Sequence, residues 1–325
     1  MKIVCICSTK NEGDIIEAFV RLNGKTCDSF FFVDESTDNT REIIGLLVKE
    51  GYDLNFLPKS PGGHNQPNST KALISAVVRS VSPDWIFLLD ADEIIVATDK
   101  RALIEELTAI APNTYLTAPW KTYVPINLGY FESASPLSDC FAPRKEKGET
   151  FKKASIPGCI ADDIVPTTGN HRVQSAVGAI ITEQVATSYY LAHFPVRSAE
   201  QIIVKNLIAT NNLMTRADAC KGEGFHVFPV TSLIRARDYK LTLDDLQSIA
   251  INYARADETH PASVASELDL QREPELRTRL TYLELGRINV LARLDAEIER
   301  LSKELRGMRR GFTLQSVNFR TVHRR

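Results

Sequence analysis

The first ninety-five residues alternate between strand and helix patterns, and this alternation constrains the fold more than any other feature. Apolar strand patterns at KIVCICS, SFFFVDES and LNFLP are separated by amphipathic helix patterns at GDIIEAFVRLN, NTREIIGLLVKEGY and STKALISAVVRSV. Such a βαβαβ order predicts a parallel sheet with right-handed crossovers and with helices covering its faces. A further strand, WIFLLDADEII, is apolar enough to be buried on both faces.

This last strand runs directly into three acids, Asp90, Asp92 and Glu93. Side chains alternate along a strand, so Asp90 and Asp92 are expected to leave the sheet on the same side and Ala91 on the other. Two adjacent carboxylates repel unless a cation lies between them, and ligands of open α/β sheets bind at the carboxyl ends of the strands. The pattern therefore indicates either a divalent-metal site or a solvated strand end whose acids cap the next helix.

The rest of the chain divides into two parts. Residues 114 to 190 are rich in Pro, Gly and Thr, which is typical of irregular strands and loops over a substrate site. Beyond about Arg235 helix patterns dominate, and Thr242 with Asp245 forms a capping-box signature. We predict an α/β domain over residues 1–235 and a helical C-terminal region with a basic tail over residues 236–325.

Composition excludes several classes of protein. The 325 residues are 43% hydrophobic and 25% charged, as expected of a soluble globular protein. A net charge of −2 argues against a general nucleic-acid binder, so we expect no nucleic-acid partner. No apolar run approaches the roughly 18 residues of a membrane span, and the N-terminus becomes polar too early for a secretory signal. The expected location is therefore the cytoplasm.

Three polar stretches follow predicted strands: Thr9-Lys10-Asn11-Glu12, then VDESTDNT from Val33, then Asp90-Ala91-Asp92. In this order they resemble glycosyltransferase family 2, whose strands end in Thr-x-Asn-Glu, Val-Asp-Asp-x-Ser-Thr-Asp-x-Thr and Asp-x-Asp. HFPVRS from His193 and GNHRV from Gly169 look like markers of a bacterial branch. The second stretch is one residue shorter than the family form, which leaves the assignment between Asp34 and Glu35 open.

The resemblance implies a GT-A fold, a Rossmann-like and mostly parallel helix-covered sheet, here with a C-terminal helical extension. It implies a metal-dependent glycosyltransferase, hexosyltransferase-type and inverting, that moves a sugar from a nucleotide-diphosphate sugar to a glycan or lipid-linked acceptor. Surface polysaccharide or lipopolysaccharide synthesis is the implied setting. The alternatives are a sugar nucleotidyltransferase and a non-catalytic protein that binds nucleotide-sugars or glycans.

The resemblance also implies a donor pocket. Ser8, Thr9 and Glu12 would line it around the nucleoside, and Asp34 would accept a hydrogen bond from the base. Lys71 would reach the diphosphate. The ordinary interpretations are that the first residues form a plain turn, that Asp34 caps the next helix and that Lys71 is a surface lysine.

A metal site follows from the same resemblance. Asp90, Asp92 and His193 would hold Mn²⁺ or Mg²⁺, since an imidazole among carboxylates shifts the preference toward manganese. Arg197 would contact phosphate through its fork of donors. A packed His193 and a salt bridge between Arg197 and Glu200 are the ordinary alternatives.

The catalytic base is assigned less directly. An inverting transfer needs a carboxylate or imidazole that takes the proton of the acceptor hydroxyl. Asp163 is our candidate for the base, and His171 is our candidate for a substrate contact within the same loop-rich region. A retaining mechanism would not require this base.

The C-terminus is a separate electrostatic unit. From Arg306 to Arg325 there are six arginines and no acid, so residues 306–325 could form a peripheral contact with an anionic membrane. Apolar residues between Leu291 and Met308 recur at intervals of three and four. This helix could form a homodimer, or it could pack on its own domain.

Overall fold

A computed structural model describes residues 1–58, 66–97, 99–144, 151–215, 227–253 and 274–321. The strands are β1 Ile3–Thr9, β2 Ser29–Asp34, β3 Leu54–Phe56, β4 Trp85–Asp90, β5 Glu93–Ala97, β6 Thr114–Pro125, β7 Phe141–Pro143, β8 Lys152–Pro157, β9 Ile164–Pro166, β10 Val173–Ser175, β11 Thr182–Val185 and β12 Tyr189–His193. The helices are α1 Ile16–Asn23, α2 Thr40–Lys49, α3 Gln66–Val81, α4 Lys100–Ala109, α5 Gly129–Ser133, α6 Leu137–Cys140, α7 Ala199–Thr215, α8 Val227–Ala236, α9 Leu243–Asn252 and α10 Val290–Thr321.

Ten of the described strands form one mixed sheet, in the order β3-β2-β1-β4-β8-β6-β12-β5, with β7 and β11 paired to β6. Strands β3, β2, β1 and β4 are mutually parallel, as their helical connections require. Strands β9 and β10 form a small sheet of their own. After β12 the described residues contain helices and no strand. The predicted α/β class, a mostly parallel and helix-covered sheet with a C-terminal helical extension, is therefore confirmed.

The central strands are buried on both faces, as their apolar sequences predict. Ile3, Cys5 and Cys7 of β1 join the core cluster that contains α1 and α2, whereas Val4 and Ile6 join the cluster that contains α3. Alternate residues of β2 and β4 divide in the same way. The period of two along each strand thus supplies both layers of a helix-covered sheet.

The strand predicted from Trp85 to Ile95 is in fact two strands. Strand β4 ends at Asp90, the next two residues form a turn, and β5 begins at Glu93 and pairs with β12 at the far edge of the sheet. The turn is stabilised by a bond from the Asp90 amide to the Glu93 carboxylate, 2.8 Å, and one from the Phe194 amide to the Asp92 carbonyl, 2.8 Å. The argument from strand alternation for Asp90 and Asp92 was therefore wrong.

The C-terminal segment returns to the first part of the chain. The Glu17 carboxylate accepts hydrogen bonds from the amides of Thr281, 2.6 Å, and Tyr282, 2.7 Å. The Asn39 side chain donates to the carbonyl of Leu285, 2.6 Å, and α10 packs along α7. Residues 281–300 therefore lie beside the carboxyl ends of β1 and β2. The domain boundary at residue 235 stays a prediction.

The basic tail is described only in part. Helix α10 extends through Thr321, but residues 322–325 and the side chains of 307–321 lie outside the described residues. The predicted membrane contact and homodimer therefore stay predictions. Among the described residues, no helix combines the length and the apolar character that crossing a membrane requires.

Docking of the C-terminal segment depends on a close contact between two glycines. A Cβ placed on Gly286 would lie 1.9 Å from the carbonyl oxygen of Gly13. We expect Gly286→Ala to lower the free energy of unfolding by about 2 kcal/mol, because backbone cannot move aside as a side chain can. Gly45, inside α2 with no atom within 4 Å of such a Cβ, is the matched control.

Gly45→Ala should raise the free energy of unfolding by about 0.5–1 kcal/mol through helix propensity. Urea denaturation followed by circular dichroism measures both variants. Equal stabilities of Gly286→Ala and wild type would mean that the C-terminal segment is not held against Gly13.

Candidate active site

The three polar stretches identified in the sequence meet at one edge of the sheet. In the strand register Thr9 is opposite Asp34, and Ser8 is opposite Asp90. Strand β1 lies between β2 and β4, so the strand order reverses at this point. Open α/β sheets bind ligands in the crevice outside such a reversal. The predicted adjacency of the three stretches is confirmed.

Asp34 is held in place by one of its two carboxylate oxygens. The Thr9 hydroxyl donates to Oδ1 at 2.9 Å, and the Ser36 amide donates to the same oxygen at 3.2 Å. Oδ2 accepts no hydrogen bond from the described residues. Asp34 does not cap α2, since Asp38 accepts the Thr40 amide at 2.9 Å there. An oriented carboxylate oxygen therefore faces the crevice edge, close to the exposed Ser8.

Arg197 is fully buried and joins two distant parts of the chain. Its Nε and Nη2 donate to the Asp14 carboxylate at 2.7 and 2.9 Å, and Nη2 also donates to Glu12 at 2.7 Å. Its Nη1 donates to the Phe194 carbonyl at 3.0 Å and lies 3.7 Å from Asp92. The partners of Arg197 are thus Asp14, Glu12 and Asp92, and Glu200 is not among them.

Asp90 is paired with a buried lysine. Lys153 Nζ lies 2.6 Å from Asp90 Oδ2 and 3.5 Å from Glu93 Oε1. The Asp90 side chain is 45% exposed, and its Oδ1 has no hydrogen-bond partner within the described ranges. Burial raises the pKa of Glu93 well above its usual value, against the charge of Lys153.

Asp92 and His193 lie side by side in the interior. Asp92 Oδ1 is 3.7 Å from His193 Nε2, and Asp92 Oδ2 is 3.0 Å from Lys205 Nζ. Burial lowers the pKa of His193 to about 3, so its imidazole is neutral near pH 7. Burial alone would raise the pKa of Asp92, but the charge of Lys205 holds it below its usual value. His193 Nδ1 is buried without a partner among the described residues.

The cluster carries more negative than positive groups. Its cations are Lys153, Arg197 and Lys205, and its carboxylates are Glu12, Asp14, Asp90, Asp92 and Glu93. Burial raises the pKa of Glu12 to about 7, against the charge of Arg197. Because burial also raises the pKa of Glu93, protons neutralise part of this acidic excess near neutral pH.

The donor set fits a divalent cation in its chemistry. A neutral imidazole and a carboxylate oxygen can both bind a divalent cation, and the unpaired Oδ1 of Asp90 could add an oxygen ligand. Within the part of the chain that the structure describes, no three His, Cys, Asp or Glu side chains are already gathered around one point. Asp92 and His193 are brought together, whereas Asp90 is turned toward Lys153.

The two candidates for catalysis are placed differently. His171 is half-buried, with its ring centroid 5.4 Å from that of Trp120, which in turn lies 5.8 Å from Lys153 Nζ. Asp163 is exposed, and its backbone carbonyl accepts a hydrogen bond from the Ala176 amide at 2.7 Å. The structure therefore brings His171 to the Lys153 side of the site and does not bring Asp163 there.

Lys71 lies away from the acids. Its Nζ contacts the carbonyls of Asp162, 3.2 Å, and Ile164, 3.3 Å. These bonds tie α3 to the turn that precedes β9. No described contact brings Lys71 to the crevice.

A cleft of about 250 Å³ opens beside Arg197. It is lined by the loop after β1, by α7, by α10 and by the residues just before α10, and these include Lys10, Lys205, Ile288 and Arg293. Lys10 Nζ lies 3.1 Å from Glu297, so α10 forms one wall. A larger, open depression of about 570 Å³ lies near Ala134 and residues 277–280, away from these acids. The C-terminal segment is thus part of the site's enclosure.

Sequence reasoning missed the lysines and Trp120. The spacing of Lys205 from Arg197 was a sequence signal, because residues separated by multiples of four lie on one face of a helix. Gln201 lies between the two, and its side chain accepts a hydrogen bond from the Arg197 amide at 3.1 Å. Lys153 and Trp120 carry no local signal, because strand residues of either type are usually structural. Their roles depend on which strands become neighbours.

No family model matches the chain, and no curated protein matches it. Residues 1–349 of S. aureus TarS are similar at TM-score 0.36 and 14% identity, over 74% of this chain and 73% of that chain. The same TarS fragment in complex with UDP is similar at TM-score 0.35 and 14% identity, over 74% of this chain and 73% of that chain. Glucosyl-3-phosphoglycerate synthase from Mycobacterium tuberculosis, in complex with Mn²⁺, UDP-glucose and phosphoglyceric acid, is similar at TM-score 0.27 and 16% identity. The similarity covers 37% of this chain and 44% of that chain. At such low identities and scores these likenesses carry no functional conclusion.

The burial of Arg197 among three carboxylates generates a stability prediction. Arg197→Gln should lower the free energy of unfolding by about 3–5 kcal/mol, because it leaves Asp14 and Glu12 buried without their cation. Arg197→Lys should lower the free energy of unfolding by less, since it keeps the positive charge and loses only the bidentate hydrogen bonding to Asp14. Urea denaturation at neutral pH is the measurement.

Arg101→Gln is the matched control, because Arg101 is exposed and pairs with Glu105 four residues later on α4. Its effect should stay within about 0.5 kcal/mol. A loss for Arg197→Gln as small as that of the control would show that the buried ion cluster does not stabilise the fold.

Proposed function

We propose that this protein is a glycosyltransferase that uses a nucleotide-diphosphate sugar as donor. The convergence of two features at the β1–β4 crevice carries the proposal. One is Asp34, with a single carboxylate oxygen still able to accept a hydrogen bond from a nucleobase. The other is the group of Asp90, Asp92 and His193, whose carboxylate oxygens and neutral imidazole could bind a cation that a diphosphate would share.

Asp92, His193 and Asp90 are the three residues that would hold a divalent cation. When bound, that ion stabilises the negative charge of the departing nucleoside diphosphate. The neutral imidazole favours manganese over magnesium.

Lys205 and Arg197 take different parts in this proposal. Lys205 is one-third exposed on the cleft, so its ammonium can bind a phosphate oxygen while it stays near Asp92. Arg197 is buried and fully engaged with Asp14 and Glu12, so it acts as a positioning residue that holds Asp92 and the β1 loop.

We assign His171 as the general base, in place of Asp163. Its Nδ1 lies 2.8 Å from the Lys152 carbonyl, which requires Nδ1 to carry the proton and leaves Nε2 as the acceptor. Burial lowers the pKa of His171, so the imidazole is neutral at pH 7. It would take the proton of the acceptor hydroxyl as that oxygen attacks the anomeric carbon, with inversion.

The purified chain should be incubated with UDP-, GDP- and TDP-sugars and Mn²⁺ while nucleoside diphosphate is followed. A glycosyltransferase releases nucleoside diphosphate, a nucleotidyltransferase releases pyrophosphate from a nucleoside triphosphate and a sugar phosphate, and a binding protein releases neither. Chelator should abolish turnover, and manganese should restore it better than magnesium. Turnover that persists in excess chelator would contradict the metal assignment.

Asp90→Asn is the sharper test of the acidic group, because Asp90 is half exposed and Glu93 stays beside Lys153 after the change. We expect release of nucleoside diphosphate to fall at least about 100-fold with little change in thermal stability. Glu105→Gln, a change to an exposed helix residue, is the control and should match wild type. Activity of Asp90→Asn within a few-fold of wild type would remove Asp90 from the site.

The base assignment predicts a pH profile. Because burial lowers the pKa of His171, kcat/KM of the wild type should fall only as pH drops below the ordinary histidine value, when the imidazole becomes protonated. His171→Gln should lower kcat by about 10²–10⁴ and remove that acidic limb. Lys153 and Asp90, the charged groups that act on His171, stay in place.

Asp163→Asn is the competing variant. If it abolishes transfer while His171→Gln keeps both its rate and its acidic limb, then Asp163 is the base and the assignment to His171 is wrong.

A further inference from the structure

An aromatic wall, formed by Trp120, Phe151, His171 and His193, leads from the acidic group to the protein surface. The Trp120 ring stacks on His193 at 4.3 Å between centroids and lies 5.6 Å from Phe151. Phe151 and His171 are 5.1 Å apart. The inner end, His193, is buried beside Asp92, whereas Phe151 at the outer end is 39% exposed. The wall is therefore a continuous strip of rings with one accessible end.

Unused polar atoms accompany these rings. The indole N–H of Trp120 is buried and has no acceptor among the described residues. Oδ1 of Asp90 and Nε2 of His171 likewise lack hydrogen-bond partners within the described ranges. A buried N–H without an acceptor is uncommon in native proteins and needs a reason, such as an oxygen that arrives with a ligand.

Ring faces beside a few polar atoms match one chemical class closely. A pyranose ring has an apolar face of C–H groups that lies flat on an aromatic side chain, and a rim of hydroxyls that both donate and accept hydrogen bonds. A lipid chain would leave the polar atoms unpaired. The wall therefore matches a sugar ring better than an acyl chain.

We propose that the outer end of the aromatic wall is the acceptor site and that the acceptor is a pyranose sugar, stacked over Phe151 and the edge of Trp120. This rests on the proposed glycosyltransferase function. The donor's own sugar is covalently tied to the diphosphate and so belongs at the Asp92 end. A ring on Phe151 would present a hydroxyl to His171, whose ring is in contact with the same phenyl group.

Direct binding can be measured without any donor. The chain has two tryptophans, and Trp85 lies buried in β4, so a change in fluorescence on adding a sugar reports on Trp120. Methyl glycosides of glucose, galactose, mannose and N-acetylglucosamine are the probes, and sorbitol at equal osmolality is the ring-free control. We expect at least one glycoside to give a saturable change that sorbitol does not give.

Three variants locate the site. Phe151→Ala should weaken glycoside binding about tenfold, since it removes the exposed stacking surface. Phe228→Ala, a change to an equally exposed phenylalanine at 45% on α8, should bind as wild type does. Trp120→Phe should abolish the fluorescence response. Because Trp120 is half-buried, circular dichroism should be used to check that this variant is folded. Unaltered binding by Phe151→Ala, or no response to any glycoside, would overturn the proposal.

Kinetics separate the acceptor from the donor. In Phe151→Ala the KM for a sugar acceptor should rise about tenfold, while slow hydrolysis of the nucleotide-sugar by water keeps its rate and its donor KM. A rise in the donor KM instead would assign the wall to the donor sugar and overturn the proposal. If no nucleotide-sugar is turned over at all, the proposed function fails, and the glycoside titration still decides whether a sugar binds at the wall.

Discussion

A guanidinium buried among carboxylates is the interaction on which the rest of the site depends. Arg197 follows β12, Glu12 and Asp14 follow β1, and Asp92 lies in the turn after β4. A buried charge without a partner is costly, so none of these groups can occupy its place unless the others are present. The sheet and the site therefore stabilise each other. The acids at the end of an apolar strand are stable because the protein itself supplies much of their counter-charge.

The carboxyl groups of this cluster outnumber its three cations. Lys153, Arg197 and Lys205 hold the carboxylates in fixed positions, and burial raises the pKa values of Glu12 and Glu93 against the charges of Arg197 and Lys153. Because these ion pairs already hold the carboxylates in place, the proposed binding of a cation would not require the site to rearrange its fold. The C-terminal segment adds the ion pair between Arg293 and Asp38, which joins α10 to the loop that precedes α2.

The two sides of the site differ in chemistry. Toward β1 and β2 the crevice presents carboxylates, hydroxyls and a lysine, which suit a nucleotide. Toward β6 and β8 it presents Trp120, Phe151 and His171, which suit a neutral ring with hydroxyls. Lys153 lies between the two sides, bound to Asp90 and 5.8 Å from the Trp120 ring. Under the proposed function, this difference would give a donor and an acceptor separate places around one reaction centre.

The βαβαβ half, the convergence of Thr9, Asp34 and Asp90 at one edge, and the capping box at Thr242 were all predictable from sequence patterns, and the structure contains all three. These follow from local periodicity and from the rule that parallel strands end on the same side. The break after Asp90, the lysine partners of the acids and the contact of His171 with Trp120 appear only in the folded structure. Those features depend on contacts between residues far apart in the chain, such as His171 with Trp120, and no local pattern encodes which distant side chains will share a low-dielectric interior.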